Sequence, residues 1–297
     1  MRERVASDSP LVWPLVWPLV GPLAGIVGAE VANRLEPLAH HYLSADGQTL
    51  TCARVRLDAD HADRFEDLLE FLPREGMLGI HVLWPSRSYA SARAEWLASA
   101  ESAGCVDTLV FRDGGDRVPL GANVTVDSFI DLFAQFAVHP RGTTLVHGAG
   151  HTARSLISAL HILGVAKVLV YDPRPGRSNT MVANVQASAG QPGLVEGVDD
   201  FASAFEVADG FADCLNPAAG PRLGAPDGTV RWWFDGPGRL LGAGQPRATR
   251  LLPGWCLSVH RAARARWLWL DEDAKPILVE QALARMSEAV RDTDTCS

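Results

Sequence analysis

The chain has 297 residues, 47% of them hydrophobic and 21% charged, a balance that suits a folded protein of about two domains. Its formal net charge of −8 excludes a nucleic-acid surface, because no basic stripe is left over to neutralise phosphates. The five cysteines (Cys52, Cys105, Cys214, Cys256 and Cys296) are scattered and never spaced C-x-x-C, which excludes a zinc ribbon or a disulfide framework and predicts reduced thiols in a cytoplasm.

From the N-terminus, residues 10–29 read PLVWPLVWPLVGPLAGIVGA, apolar enough to raise a signal peptide or a membrane span. Prolines at 10, 14, 18 and 22 argue otherwise, since each costs about 3 kcal/mol inside a helix; an extended segment and loop ahead of a buried strand is the reading. Thr51 to Leu57 alternates as a strand, HADRFEDLLEFLPREG reads as a helix stopping before Gly76, and Met77 to Trp84 is a second apolar strand. SYASARAEWLASAESAG has helical spacing up to Gly104, and Val106–Phe111 with Val118–Val126 reads as a strand pair around RDGGD. FIDLFAQFAV is an amphipathic helix, with Asp127 placed to cap it. Beyond Asp172 come a loop (PRPGRS), a short helix (DDFASAFEVADG) and two short strands (ADCLNP and VRWWFD). From Pro253 two helices carry VHRAARARWLWL and AKPILVEQALARMSEAV. Strands alternating with helices predict an α/β protein with largely parallel sheets.

The densest signal lies between. An apolar run ending at His147 meets Gly148, Ala149 and Gly150, then a helix-like segment, then the β-branched run Val168–Tyr171 ending on Asp172, 24 residues after Gly148. Strand, glycine turn, helix, strand and acid in that order make a Rossmann dinucleotide-binding unit. Gly148 permits the tight turn, Gly150 lets backbone amides approach a diphosphate, and Ala153 keeps helix and strand close; His151 and Thr152 open the helix whose N-terminal dipole attracts phosphate. Asp172 accepting from ribose hydroxyls favours NAD, whereas Arg174 and Arg177 binding a 2′-phosphate favour NADP; both stay open, with the lean toward NADP. His147 and His151 flank a turn rather than ride one helix face, so their spacing does not make a metal pair.

Several segments, in order, resemble the shikimate dehydrogenase family: LGIHVLWPSR its G-x-N-V-T-x-P-x-K segment, AGCVDTLV its G-A-x-N-T-L, LGANVTVDSF its G-x-N-T-D-G with Asn123 at the asparagine, HGAGHTAR its phosphate loop, and LSVHRAARARWLWLD its C-terminal helix. The resemblance implies a substrate domain over residues 1–120, a Rossmann domain over 121–250, and C-terminal helices over 251–297 that return to the first domain. The substrate would lie in the cleft facing the nicotinamide. It also allows a homodimer and places Asn216, in NPAAG, in the loop beside the nicotinamide ring.

At the positions that carry the family's chemistry the residues differ. The catalytic lysine falls on Arg87, the aspartate on Thr125 with Asp127 two residues on, the two asparagines on His81 and Asp107, and the helix glutamine on Arg261 beside His260. Arginine stays protonated, so Arg87 suits a carbonyl or carboxylate clamp better than proton transfer. Asp107 pairs with it or acts as a base. His81 is the more apt proton donor, because imidazole changes charge within about pH 5 to 8. Arg261, His260 and Asn123 are the candidate binders of a small anionic substrate. The expectation is an NAD(P)-dependent oxidoreductase of specialised metabolism with a substrate other than shikimate. The alternative is a scaffold without hydride transfer that runs a cofactor-independent cyclisation, condensation or isomerisation, or that only binds.

Overall fold

The computed structural model describes residues 22–28, 35–43, 50–57, 64–83, 85–112, 118–189, 193–215, 229–236, 247–271 and 276–294. The segment before residue 22, most of the RDGGD turn and the NPAAG loop with Asn216 lie outside them. The chain divides into two compact units. The first takes the described residues of Met1–Leu97, Cys105–Ala122 and Ala262–Arg285; the second takes Ala98–Gly104, Asn123–Arg261 and Met286–Ser297.

The first unit is built on a six-stranded mixed sheet. Its strands are β1 (Leu23–Val27), β2 (Thr51–Val55), β3 (Met77–Val82), β4 (Glu95–Trp96), β5 (Thr108–Val110) and β6 (Leu120–Ala122), in the order β2-β1-β3-β5-β6-β4. β1 runs parallel to both β2 and β3, and β5 is antiparallel to β3 and β6. Helices α1 (Leu35–Leu43), α2 (Arg64–Arg74) and α3 (Arg87–Arg93) belong to it. In α2 the buried Phe65, Leu68 and Leu72 recur at helical spacing, and Pro73 is held in the last turn. Gly79 on β3 leaves room for the indole of Trp269; a β-carbon there would collide with that ring and with the Leu109 carbonyl. The Trp269 indole donates to Leu109 O at 3.0 Å and stacks on His40 at 5.7 Å.

The second unit carries a fully parallel sheet of β7 (Thr143–His147), β8 (Lys167–Tyr171), β9 (Val195–Gly197), β10 (Gly210–Asp213), β11 (Thr229–Asp235) and β12 (Arg247–Pro253). The order β12-β11-β10-β7-β8-β9 reverses between β7 and β10, the doubly wound arrangement in which ligands sit at the strand ends of that switch point. Its helices are α4 (Ala98–Ala103), α5 (Val124–Gln135), α6 (His151–Ile162), α7 (Arg177–Ala189), α8 (Phe201–Glu206) and the first part of α9 (Gly254–Leu270); α10 (Pro276–Asp294) follows. One sheet face packs on α5 through Phe129–Phe234 and Phe133–Trp232 edge contacts, with ring centroids 5.0 and 5.1 Å apart. Phe205, Phe211, Leu145 and Trp233 fill a second cluster.

Two sequence expectations are corrected here, and several elements were not anticipated. The alanine-rich stretch is two helices, α3 and α4, interrupted by β4, which pairs with β6 and whose Trp96 indole donates to Ser91 O. The strand expected over Val118–Val126 stops at Ala122, because Asn123 turns the chain into α5. Helix α7 was not anticipated: RSNTMVANVQASA has little helical contrast between faces. β9 and β12 were also missed, the first for its three-residue length and the second because Arg247, Thr249 and Arg250 break any apolar alternation.

Candidate functional site

In the first unit, β3 and β5 bring three fully buried polar residues together. Asp107 precedes β5 and Thr108 opens it, while His81 lies opposite Thr108 in the antiparallel register. The Thr108 hydroxyl donates to Asp107 Oδ1 at 2.9 Å, and His81 Nδ1 lies 3.1 Å from the same hydroxyl. A hydroxyl has one proton to give, so with that proton on Asp107 the imidazole must donate through Nδ1. The chain Asp107–Thr108–His81 therefore fixes the tautomer, with the ring lone pair on Nε2 when the imidazole is neutral. Thr108 was not singled out from the sequence; its only signal there was its place beside Asp107.

Arg87 opens α3 and is 7% exposed, with Nε donating to Val82 O at 2.9 Å. That bond moors the guanidinium to the end of β3. His40 from α1 sits against His81, with centroids 6.4 Å apart.

In the second unit the glycine turn follows β7. Gly148 has φ +99°, and a β-carbon there would lie 2.9 Å from both Cα and N of Leu215. Only glycine suits that backbone and that contact. Gly150 is different: its φ is −98°, and a β-carbon there would meet nothing within 4 Å. It faces open space at the start of the twelve-residue helix α6, which begins without a side-chain cap. A glycine with open space beside it at the start of a twelve-residue helix lets a diphosphate approach the helix N-terminus, so the residues present fit a dinucleotide. His151 and Thr152 are half-buried on the first turn, and Ala153 is fully buried.

Asp172 occupies an unexpected place. Its side chain has no exposed surface, and both oxygens are taken. Oδ1 accepts from the backbone N–H (3.0 Å) and Nε (2.8 Å) of Arg174; Oδ2 accepts from Arg174 Nη2 (2.7 Å) and from the Ala149 N–H (2.8 Å). Burial would push this carboxyl up; the Arg174 fork and the two backbone donors outweigh it and hold it below the usual carboxylate range. The carboxylate thus ties the end of β8 to the glycine turn, and the expectation that it accepts from ribose hydroxyls meets a group already saturated inside the protein. The same fork raises the Arg174 guanidinium further above its ordinary value. Arg177, at the start of α7, is exposed.

The remaining candidates are placed as follows. Asn123 is the cap of α5: its Oδ1 accepts from the Val126 N–H (3.2 Å) and the Ser155 hydroxyl (3.0 Å). That displaces Asp127 from the capping role, since the helix starts four residues before Ser128 rather than near Phe129. His260 Nε2 lies 2.7 Å from Gln135 Oε1, and Arg261 beside it on α9 is 9% exposed. His147 Nδ1 lies 3.1 Å from Asp213 Oδ1, a pair that sequence reading missed although a histidine closing an apolar strand was its visible mark. Among the described residues no group of three or more His, Cys, Asp or Glu could hold a metal ion, and no helix is long and apolar enough to cross a membrane.

No protein-family profile matches the chain. Among curated proteins it is 32% identical over 165 residues to a shikimate dehydrogenase (NADP(+)) of Methylobacterium radiotolerans, a match covering 53% of this chain and 57% of that protein. It is 27% identical over 278 residues to another from Cereibacter sphaeroides, covering 84% and 94%. The match to the first thus spans little more than half of that relative's length. Among solved structures, the shikimate 5-dehydrogenase of Thermus thermophilus in complex with shikimate superposes with a TM-score of 0.71 at 20% identity, covering 90% of this chain and 99% of that one. The quinate dehydrogenase of Corynebacterium glutamicum in complex with NAD gives 0.69 at 21%, covering 89% and 99%. A two-unit α/β protein with a Rossmann-type unit is the class that fold and turn define. Within that class the chain is similar to the shikimate dehydrogenases, in sequence over part of its length and in fold over nine-tenths of it.

Proposed function

We propose that the chain is an NAD(P)-dependent oxidoreductase acting on a small anionic substrate other than shikimate, a cytoplasmic enzyme of specialised metabolism. The observation that carries the reading is the glycine turn: Gly148 is backed against the Leu215 backbone, and Gly150 opens onto free space at the start of α6. Residues Gly148 to Ala153 would hold the diphosphate. With Asp172 saturated inside the turn, the side chains left near the second ribose are basic, Arg177 and the outer edge of Arg174, which favours NADP. The nicotinamide ring supplies the hydride acceptor or donor.

The chain's own residues do the rest. Arg87 and Arg261 supply positive charge for an anionic substrate. His81, held in one tautomer by Thr108 and Asp107, takes the alcohol proton at Nε2 on oxidation, or as imidazolium returns it on reduction. Asp127 is the second proton carrier in this scheme, and His260 steadies α9 through Gln135. Replacing the family's lysine and aspartate by Arg87 and Thr125 is what separates the substrate from shikimate.

One observation favours a second reading. The Arg87 side chain is buried and moored to Val82 O, the posture of a structural residue, which agrees with a scaffold that no longer transfers hydride. Titration with NADPH and NADH, following nicotinamide fluorescence, divides the two. Saturable binding of either supports the oxidoreductase; no binding of either at about millimolar concentration removes it.

A further inference from the structure

Asp172 directly follows β8, and its side chain has no exposed surface, whereas that of Arg174 is 37% exposed. The guanidinium is therefore the outer member of the pair. A carboxylate offers about four lone-pair sites, two on each oxygen. Those of Asp172 meet two backbone donors, the N–H groups of Arg174 and Ala149, and two side-chain donors, Nε and Nη2 of Arg174. Each oxygen takes one donor of each kind. Pro173 between the two residues has its φ fixed by its ring, and the amide after it bonds Oδ1, a side-chain turn that seats Arg174 over the acid. The Arg177 N–H then donates to the Arg174 carbonyl at 3.3 Å, and Arg177 opens α7 with its side chain exposed.

We propose that Arg174 is a specificity-determining residue of the dinucleotide turn: by occupying both oxygens of Asp172 it withdraws that carboxylate from an adenosine ribose and so admits a ribose bearing a 2′-phosphate. The inference rests on the dinucleotide reading above and names the group within it that makes the choice. An unphosphorylated ribose presents two adjacent hydroxyls, and an acid at the end of this strand recognises them by accepting from them. With four donors in place, Asp172 has no lone pair left for either. The guanidinium also offsets the carboxylate charge, which would otherwise repel a phosphate at close range. Of its five N–H bonds two are spent on the acid, leaving three on its outer edge for phosphate oxygens. Taking the guanidinium away reverses this. The two backbone donors stay, one side-chain donor leaves each oxygen, and the acid regains one accepting site per oxygen together with its uncompensated charge. Two freed sites match two hydroxyls, so the turn then favours the unphosphorylated dinucleotide.

The test titrates wild type, Arg174→Ala and the double variant Arg174→Ala/Asp172→Asn with NADPH and with NADH by nicotinamide fluorescence, after urea unfolding has shown each protein to be folded. The wild type binds NADPH more tightly than NADH. Arg174→Ala binds NADPH at least about tenfold more weakly than wild type and NADH about tenfold more tightly, the effect of two ribose hydrogen bonds. The double variant returns NADH to the wild-type affinity, since an amide has one accepting oxygen in place of two. If Arg174→Ala does not fold, Arg174→Gln carries the test: its shorter amide reaches one oxygen rather than both, and NADH binding tightens by about threefold. NADPH affinity lost with NADH affinity unchanged or weakened makes Arg174 a phosphate binder only and overturns its hold on Asp172. A wild type that prefers NADH, or a double variant that keeps the NADH gain, overturns it as well. No binding of either nucleotide by the wild type overturns the dinucleotide reading and this one with it.

Discussion

Gly148 and Leu215 touch backbone to backbone, so the glycine turn and the chain leaving β10 form one packed unit. At Gly148→Ala two penalties coincide: φ +99° strains any side chain by about 1–3 kcal/mol, and the new β-carbon meets Leu215 backbone that cannot swing aside. Gly150→Ala carries neither, and its stability stays within about 0.5 kcal/mol of wild type. Yet it obstructs the open approach to the α6 amides, so dinucleotide affinity falls. Urea unfolding paired with fluorescence titration separates the two effects. A Gly150→Ala protein that binds as wild type would count against the turn as the diphosphate site.

Asp172 makes the fold acid-sensitive. Its carboxyl is held low in the folded state, so the stability it adds is fully present above the unfolded carboxyl value and is lost as pH falls below about 4. Asp172→Asn removes that part of the acid dependence and, by leaving the Arg174 fork and the Ala149 amide poorly matched, costs about 2 kcal/mol at neutral pH. Unfolding curves of both proteins across the acid range decide it; parallel acid profiles contradict the strut role.

Thr108→Val cuts the link between His81 and Asp107 and leaves a buried carboxylate without its hydroxyl donor, a loss of about 1–3 kcal/mol. Thr108→Ser restores the hydroxyl and recovers most of it. Thermal unfolding of the pair is the measurement, and a serine variant as weak as the valine one refutes the relay.

Two thiols are predicted to be sluggish. Burial, with the Asp213 carboxylate adding to it, pushes the Cys214 thiol well up, and burial alone pushes Cys256 to about 12. Iodoacetamide at about pH 8 should modify Cys52 before either; Cys214 is as half-exposed as Cys52, so there the raised thiol beside Asp213 rather than access sets the order. Peptide mapping reads the order, and early labelling of Cys214 would reverse the assignment.

The Rossmann unit was legible because its parallel strands are buried on both faces and read as unbroken apolar runs around an unmistakable glycine turn. Tertiary roles were not. Asp172-Pro173 is a turn-forming pair, and a side chain bonding the amide two residues on is its usual product, so its inward posture had a local signal that the dinucleotide pattern overrode. Asn123 fits the cap preference as well as Asp127, but the β-branched run Val124–Val126 disguised the first turn of α5 as strand. The pairing of His147 with Asp213 joins residues 66 apart and leaves no periodic trace.

The Trp269 indole reaches back 160 positions to the Leu109 carbonyl, over the gap left at Gly79. Nascent polypeptide emerges from the ribosome N-terminus first, so β3 and β5 wait for a tryptophan made 160 residues after Leu109 before their surface is sealed. Until then β3 and β5 present an open slot, and a contact of such long reach makes completion of this unit a slow, late event in the life of the chain.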